Sequence, residues 1–254
     1  MREFFDIHTH ILPHNDDGSS SSSESIEMLK ALYSQGATRV ALTPHFKAKD
    51  DEPERFFRRR HATAARLLER INALSQSDEL LAGGIPEIYL GAEVTFFNAM
   101  SNVEALGDMC LLGTKYLLVE MPLCRWTVSM LDEIRELSRK QGITPIIAHI
   151  DRYFGCFNDS MIDRMIEEGV KIQISADAFL SFWYRRKALD LLTSGRVHFI
   201  GSDAHNMGDR APCLGDAVNE IEKRIGTAVL EDIIKNGNEL ASVATPIFKG
   251  LRND

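Results

Sequence analysis

Asp6-Ile7-His8-Thr9-His10, followed by His14-Asn15-Asp16-Asp17-Gly18, places metal-competent side chains at every second position of an extended stretch. Residues two apart on a strand point the same way, so Asp6, His8 and His10 are expected to share one face. Similar fragments recur downstream: Thr43-Pro44-His45, Gly91-Ala92-Glu93, Val119-Glu120, Ala148-His149 and Ser202-Asp203-Ala204-His205. Together they supply His8, His10, Asp17, His45, Glu93, Glu120, His149, Asp203 and His205, five imidazoles and four carboxylates. One ion does not take nine ligands, since zinc prefers about four and manganese about six. Two or three divalent ions sharing a bridging carboxylate are therefore expected, and a mixed N/O set without cysteine suits manganese, iron or zinc. Clustered ions lower the pKa of a bound water from about 15.7 towards about 7 and clamp an in-line displacement at phosphorus. The chemistry this predicts is metal-assisted hydrolysis, foremost of a phosphate ester. Such a site also needs forked cations for the phosphate oxygens. Arg152, three residues after His149, and Arg210, five after His205, are the candidates.

Each fragment ends a short apolar run. The runs near 3–8, 39–43, 87–92, 116–119, 144–148, 171–175 and 197–201 read as strands, and their near-continuous hydrophobicity fits a parallel sheet covered on both faces. Helices are expected between them, near 21–35, 51–77, 126–141, 158–168, 184–194 and 213–236, with a short piece near 98–108. Ser21 and Glu24 suggest a capping box, and Gly36, Gly142, Gly169 and Gly195 stand where helices should stop. The expected architecture is one α/β domain over 1–254, a (β/α)7 TIM-like barrel with its site at the carboxyl ends of the strands.

With 44% apolar and 26% charged residues, the composition is that of an ordinary globular chain. A net charge of −8 argues against a nucleic-acid surface. No apolar run reaches the roughly 18 residues of a membrane span, and no signal peptide is visible, so a cytoplasmic protein without direct membrane insertion is expected. Cys110, Cys124, Cys156 and Cys213 form no disulfide framework. None has an arginine six positions later, which excludes a phosphate-cradling cysteine nucleophile; Tyr116, Met130, Ile162 and Asn219 stand there.

Taken as a set, Asp-x-His-x-His with its following Asp-Asp-Gly, Thr-Pro-His, Gly-Ala-Glu, the strand ending in Glu, Ala-His-x-x-Arg-Tyr and Ser-Asp-Ala-His-Asn resemble the PHP (polymerase and histidinol phosphatase) superfamily. Within it, the pattern from about residue 4 to 210 is similar to bacterial tyrosine-protein phosphatases of capsule and exopolysaccharide loci, the CpsB/CapC type. The resemblance implies a distorted barrel and a trinuclear centre, often manganese. By matching motif it implies His8, His10 and Asp203 at one ion, Glu93 and His149 at a second, Glu120 bridging the two, and Asp17, His45 and His205 at a third. It implies that Arg152 and Arg210 grip the phosphate, with Asp6 and Asp16 supporting the ligands. The implied substrate is a phosphotyrosine protein, the tyrosine-rich tail of a cognate kinase; a small-molecule phosphatase acting on histidinol phosphate is the alternative. One departure stands out: where the family often has Ala-His-Pro-Glu-Arg-Tyr, this chain has Ile150-Asp151.

Two stretches stay open at this level. The run Arg55-Phe56-Phe57-Arg58-Arg59-Arg60-His61 reads either as a solvated helix face or as a dock for acidic peptide. Phe179-Leu180-Ser181-Phe182-Trp183-Tyr184 reads either as a wall for a phosphotyrosine ring or as core of the next helix.

Overall fold

The computed structural model describes residues 3–75 and 84–251. Strand and helix alternate as the hydrophobic pattern requires. β1 (Phe4–Thr9), α1 (Ser22–Ser34), β2 (Ala37–Leu42), β3 (His45–Phe46) and α2 (Pro53–Ser75) come first. After them run β4 (Glu87–Leu90), β5 (Glu93–Thr95), β6 (Tyr116–Glu120), α3 (Val128–Gln141), β7 (Thr144–Ile147) and α4 (Asp159–Glu167). The chain continues through β8 (Lys171–Ser175), α5 (Ala176–Leu180), α6 (Arg185–Thr193), β9 (Phe199–Gly201), α7 (Leu214–Ile225) and α8 (Ala228–Val243).

Among the described residues the named strands pair with one another in parallel, in the orders β1-β2-β4 and β3-β5-β6-β7-β8-β9, and two isolated antiparallel bridges, Ile85 to Leu251 and Ile88 to Phe248, lie beside β4. Thr43 and Pro44 separate β2 from β3, and Gly91 and Ala92 separate β4 from β5. Main-chain bonds from Gly91 to Leu42 and from Glu93 to Pro44 carry the pairing across both interruptions. At the far edge the end of β1 meets the end of β9: His10 N–H donates to the Ala204 carbonyl at 2.9 Å, and Asp203 N–H to the His8 carbonyl at 3.0 Å. The result is a curled parallel sheet with helices packed outside, and the curl brings first and last strands side by side.

Alternation along the strands divides the apolar residues between two clusters. Phe5, Ile7, Tyr89, Leu118, Ile146 and Phe199 pack together with Leu240 of α8. Val40, Leu42, Ile88, Val119, Ile147, Ile172 and Ile200 pack with the helices. Helix α8 comes close enough to β1 that a Cβ at Gly237 would stand 3.2 Å from that of Phe5. Both clusters keep water from the sheet below its carboxyl ends, so the charged residues there rest on a rigid apolar base.

Several local expectations need correction. The reading of 213–236 as one helix fails, because α7 ends at Gly226 (φ 82°, ψ −173°) and α8 starts after Thr227. The signal was present: Lys223, Arg224 and then glycine is how a helix stops. The piece near 98–108 is two 3-10 turns, Met100–Asn102 and Glu104–Met109. The Ser21 side chain does accept from Glu24 N–H at 3.2 Å, but the Glu24 carboxylate reaches back to Ser20 rather than to the cap residue. The end of the 51–77 expectation, residues 76 and 77, lies outside the described residues. Gly142, Gly169 and Gly195 all take positive φ just beyond their helices, where a side chain would be strained.

Candidate metal centre

All nine candidate ligands come from strand ends or the loops that follow them, and the curl of the sheet draws them together. Strict alternation does not hold in β1, whose pairing register shifts between Asp6 and Thr9. His8 and His10 still turn their Nε2 atoms to the same point, 3.1 Å apart. Asp6 instead faces main chain, its Oδ1 accepting from Ser202 N–H at 2.9 Å and His8 N–H at 3.3 Å.

Glu93 occupies the middle. Its Oε2 lies 3.3 Å from Nε2 of both His8 and His10 and 2.9 Å from His45 Nδ1, and its Oε1 is 2.8 Å from His149 Nε2. Glu120, the expected bridge, lies to one side: Oε1 is 3.9 Å from His149 Nε2, and Oε2 accepts from the Thr95 hydroxyl at 2.8 Å. The central carboxylate is thus Glu93, because β5 pairs with both β3 and β6 and sets it between His45 and the β6 end. Asp203 Oδ1 approaches His8 and His10 at 3.5 and 3.4 Å. On the outside, Asp17 Oδ1 faces His45 Nε2 at 3.5 Å and His205 Nε2 at 3.7 Å.

Among the described residues, four groups of donor atoms are compact enough to hold an ion: His10, Asp17, His45 and His205; His8, Glu93 and His149; His8, His10 and Asp203; and His45, Glu93 and Glu120. Orphaned atoms test the fit. Glu93 Oε2, His45 Nδ1, His149 Nδ1 and His205 Nε2 are buried without a hydrogen-bond partner. A buried polar atom left so costs about 1–3 kcal/mol. Paired imidazole nitrogens at 3.1 Å flanked by carboxylates make poor hydrogen bonds and good ligands.

The electrostatics agree. Burial alone would raise the Glu93 carboxyl, but the His8 charge and then the imidazoles of His10, His149 and His45 close around it hold it well below the usual range. Asp203 is likewise held well below, by His8 and His10 against the effect of burial. Burial would lower His8 and His10; the carboxylates around them win and raise both. His205 behaves differently, pushed down to about 4 by burial and then by His10. The pocket therefore favours carboxylate anions surrounding a point of positive charge, which is the field a divalent cation needs.

Supporting residues aim these groups. Asp16 Oδ2 accepts from His10 Nδ1 at 2.7 Å and from His45 N–H at 2.9 Å. Gln173 Oε1 lies 3.2 Å from His8 Nδ1 and accepts from the main-chain N–H of His149 at 2.6 Å, so one amide holds the His8 ring and the backbone that carries His149. Asp151, at the departure from the family pattern, is buried and accepts from Ser175 N–H at 2.8 Å, tying the Arg152 loop to β8. Glycines permit the closeness: a Cβ at Gly18 would stand 2.1 Å from the His10 carbonyl, and one at Gly201 2.8 Å from His8 Cβ. His149 (φ 32°) and Asp203 (φ 52°) adopt the left-handed region despite carrying side chains. Such conformations cost of order 1–3 kcal/mol each and persist where the surroundings enforce them.

Arg152 and Arg210 meet at the mouth. Both donate to Asp203 Oδ2, at 2.5 and 2.8 Å, and both remain over a third exposed. The remaining groups at the mouth include Asp177, whose carboxyl is raised by burial first and then by Asp203. Sequence reasoning gave no role to Gln173, Asp177 or Tyr153, whose buried ring lies 5.5 Å from that of His149. The strand-end position of Gln173 was the signal, hidden because a neutral amide does not read as metal chemistry. The two open stretches resolve unevenly. In 55–61, Arg60 is buried and donates to the carbonyls of Gly91 and Asp108, so that run is no simple solvated face. In 179–184, Phe179 is core but Phe182 and Trp183 stand in solvent.

A family model described as "Capsular polysaccharide synthesis, CpsB/CapC" matches residues 4–241. The chain belongs to the CpsB/CapC family. Among the relatives of this CpsB/CapC member is the putative tyrosine-protein phosphatase CapC of Staphylococcus aureus, 29% identical over 91% of this chain and 89% of that protein. Tyrosine-protein phosphatase YwqE of Bacillus subtilis is 27% identical over 92% and 90%. CpsB of Streptococcus pneumoniae, also a tyrosine-protein phosphatase, is 28% identical over 90% and 93%. A crystal structure from work on YwqE and the pneumococcal CpsB, described as unique metal-dependent tyrosine phosphatases, matches with a TM-score of 0.79 at 28% identity, covering 95% of both chains. A Listeria monocytogenes lactonase, at TM-score 0.58 and 11% identity, shares the fold alone. No helix among the described residues is long and apolar enough to cross a membrane.

Proposed function

We propose that this CpsB/CapC member is a metal-dependent protein-tyrosine phosphatase whose substrate is phosphotyrosine on a bacterial tyrosine kinase, with capsule or exopolysaccharide synthesis as the process regulated. One observation carries the reading: two half-exposed arginines converge on Asp203 at the edge of a buried cluster of imidazoles and carboxylates. That is a phosphate grip beside a cation site. The relatives, named as tyrosine-protein phosphatases, support the substrate class.

His8, His10, Asp17, His45, Glu93, Glu120, His149, Asp203 and His205 would hold two or three divalent cations, manganese first, with Glu93 shared. Bound there, such ions supply Lewis-acid charge for hydrolysis of a phosphate monoester. The chain's own residues do the rest. Arg152 and Arg210 bind the phosphoryl oxygens, and Asp203, by holding both guanidinium groups, sets their spacing. Gln173 fixes the ring of His8 and the backbone of His149, and Asp16 fixes the ring of His10. No cysteine takes part, since none is paired with a cradle arginine. Counting 37–46 and 87–95 each as one interrupted strand supports our reading of the fold as a distorted (β/α)7 barrel, with 1–254 proposed as a single domain. All four cysteines are unpaired, which supports a reducing, cytoplasmic compartment.

The test is turnover after exhaustive chelation and restoration with manganese, zinc or iron, on p-nitrophenyl phosphate, a phosphotyrosyl peptide and histidinol phosphate. The expected result is loss on chelation, recovery on manganese and preference for the peptide. Activity that survives chelation overturns the metal reading, and turnover confined to histidinol phosphate overturns the substrate.

A further inference from the structure

Among the described residues, most of the exposed large apolar side chains gather at one end of the sheet. Leu123, Leu180, Phe182, Trp183, Tyr184 and Met207 lie on connections leaving the carboxyl ends of β6, β8 and β9, the end that carries the candidate metal centre, while Leu112 and Val243 lie elsewhere. Phe182 and Trp183 are the extreme pair, 79% and 83% exposed, with rings edge to face at 5.3 Å and 88°. Folding gains almost nothing from them, because their area stays in water. A contiguous exposed aromatic pair marks an interaction site more often than a decoration.

Its neighbours carry charge. Arg186 and Lys187 stand three and four residues after Trp183, and with Trp183, Arg196 and the carboxylates of Asp159 and Asp190 they line a cleft of about 480 Å³. Among the described residues Arg186 makes no ion pair, and Lys187 rests only on rings, 4.6 Å from the Phe154 centroid and 5.1 Å from that of Phe157. A chain of net charge −8 thus presents cations beside its most exposed aromatics. The patch is continuous with the mouth: the Tyr184 ring packs edge-on against Phe154 at 5.7 Å, and Phe154 is two residues after Arg152.

We propose that Phe182 and Trp183, together with Arg186 and Lys187, form a docking site for a stretch of the phosphotyrosyl substrate that carries an aromatic side chain beside an acidic residue. The inference rests on the phosphatase reading above and adds to it where the substrate's flanking residues bind. An aromatic side chain stacks on the Phe182–Trp183 pair while the acidic neighbour meets Arg186 and Lys187. The occupant is peptide and not lipid because the patch adjoins the Arg152 loop, so one extended chain can engage both.

The experiment uses manganese-loaded full-length protein, wild type and the Phe182→Ala/Trp183→Ala double variant. Both substituted residues lie outside the core, so thermal midpoints should agree. Three substrates are compared: p-nitrophenyl phosphate, a phosphotyrosyl peptide with aromatic-acidic flanks, and the same peptide with Gly/Ser flanks. Wild type should show a KM about tenfold lower for the first peptide than for the second, the usual scale of an exposed aromatic anchor. The double variant should erase that difference and leave p-nitrophenyl phosphate kinetics unchanged. Arg186→Glu/Lys187→Glu should raise KM for the acidic-flanked peptide alone. Binding is read separately by fluorescence, since Trp183 is exposed and the other tryptophan, Trp126, is buried. The unphosphorylated flank peptide should shift the emission of wild type. Equal KM values for the two peptides in wild type, or a difference that survives in the double variant, overturns the docking site. So does sedimentation with phosphatidylserine/phosphatidylcholine vesicles that depends on Phe182 and Trp183 while the peptides are treated alike. Failure of wild type to hydrolyse any phosphotyrosyl substrate instead overturns the phosphatase reading, and the Trp183 response then reports on docking alone.

Discussion

The inner and outer halves of the ligand cluster are built on different principles. Inside, His8, Glu93 and His149 are buried on strand ends over an apolar base, and Gln173 holds two of them through one amide. Outside, Asp17 is 65% exposed on a loop, His45 is partly open, and Arg210 reaches across at 3.8 Å. Buried charges with fixed partners cannot relax when a partner is lost, whereas exposed ones are rescued by water. The inner half should behave as part of the fold and the outer half as an adjustable rim.

The hardest break is Glu93→Gln. Even partners one step removed from a metal cost 10–100-fold when lost, so removing the shared carboxylate should lower turnover more than about 100-fold. Bound metal measured by mass spectrometry should fall with it. Near-normal activity in that variant would mean Glu93 is not shared. Gln173→Leu comes next, at about 10–100-fold in metal affinity, with loss at the inner ions and a changed folding midpoint. Asp17→Asn should cost less and act on one ion: stoichiometry drops by a single equivalent while the inner cations stay. Stepwise chelator dialysis of wild type should follow the same order, with the rim ion leaving first. Simultaneous release of all ions would erase the proposed distinction. Arg210→Lys keeps charge but loses the fork, so KM for a phosphotyrosyl peptide should rise about tenfold with kcat less affected; an unchanged KM would remove Arg210 from the grip.

The smallest effect falls outside both halves and calibrates them. His198 precedes β9, where burial and then Lys171 push it down to about 4. A histidine with a depressed folded pKa contributes stability that is fully present above about 6.5. That stability is lost as pH falls towards 4, because the unfolded chain takes up the proton first. A shift of this size corresponds to at most about 3 kcal/mol, less for a partly exposed ring. His198→Asn should flatten the fall in urea midpoint between pH 6.5 and 4 relative to wild type, with turnover at pH 7.5 unchanged. An equally steep acid limb in the variant would assign that limb to other groups.

Much of this was legible beforehand, for identifiable reasons. Strands announce themselves as apolar runs, and 171–175 is met at both ends because Gly169 and the polar residues after Ser175 bound it. The candidate ligands that the sheet draws together could be picked out because charged residues closing buried strands have no evident scaffold use. What could not be read was relative placement. Whether Glu93 or Glu120 stands in the middle depends on how β5 sits between β3 and β6, a register that side-chain types do not encode. Gln173 escaped because a neutral amide gives no chemical signal until its two partners are seen. Arg60 escaped because a basic run looks solvated until α2 turns one of its arginines onto the carbonyls of Gly91 and Asp108. The aromatic run 179–184 split between core and solvent, since α5 ends at Leu180 and periodicity stops with it.

The positive φ angles of His149 and Asp203 bear on how lapsed copies of this fold would look. A backbone held in that region favours glycine or asparagine above other residues, and on the metal-centre proposal the need for an imidazole and a carboxylate keeps the present residues there. Once selection for the ions is lifted, those two positions should drift first, and the drift should stabilise the chain instead of harming it. A relative with Gly or Asn at both sites, and an otherwise intact sheet, can be diagnosed from sequence as a fold that has outlived its chemistry.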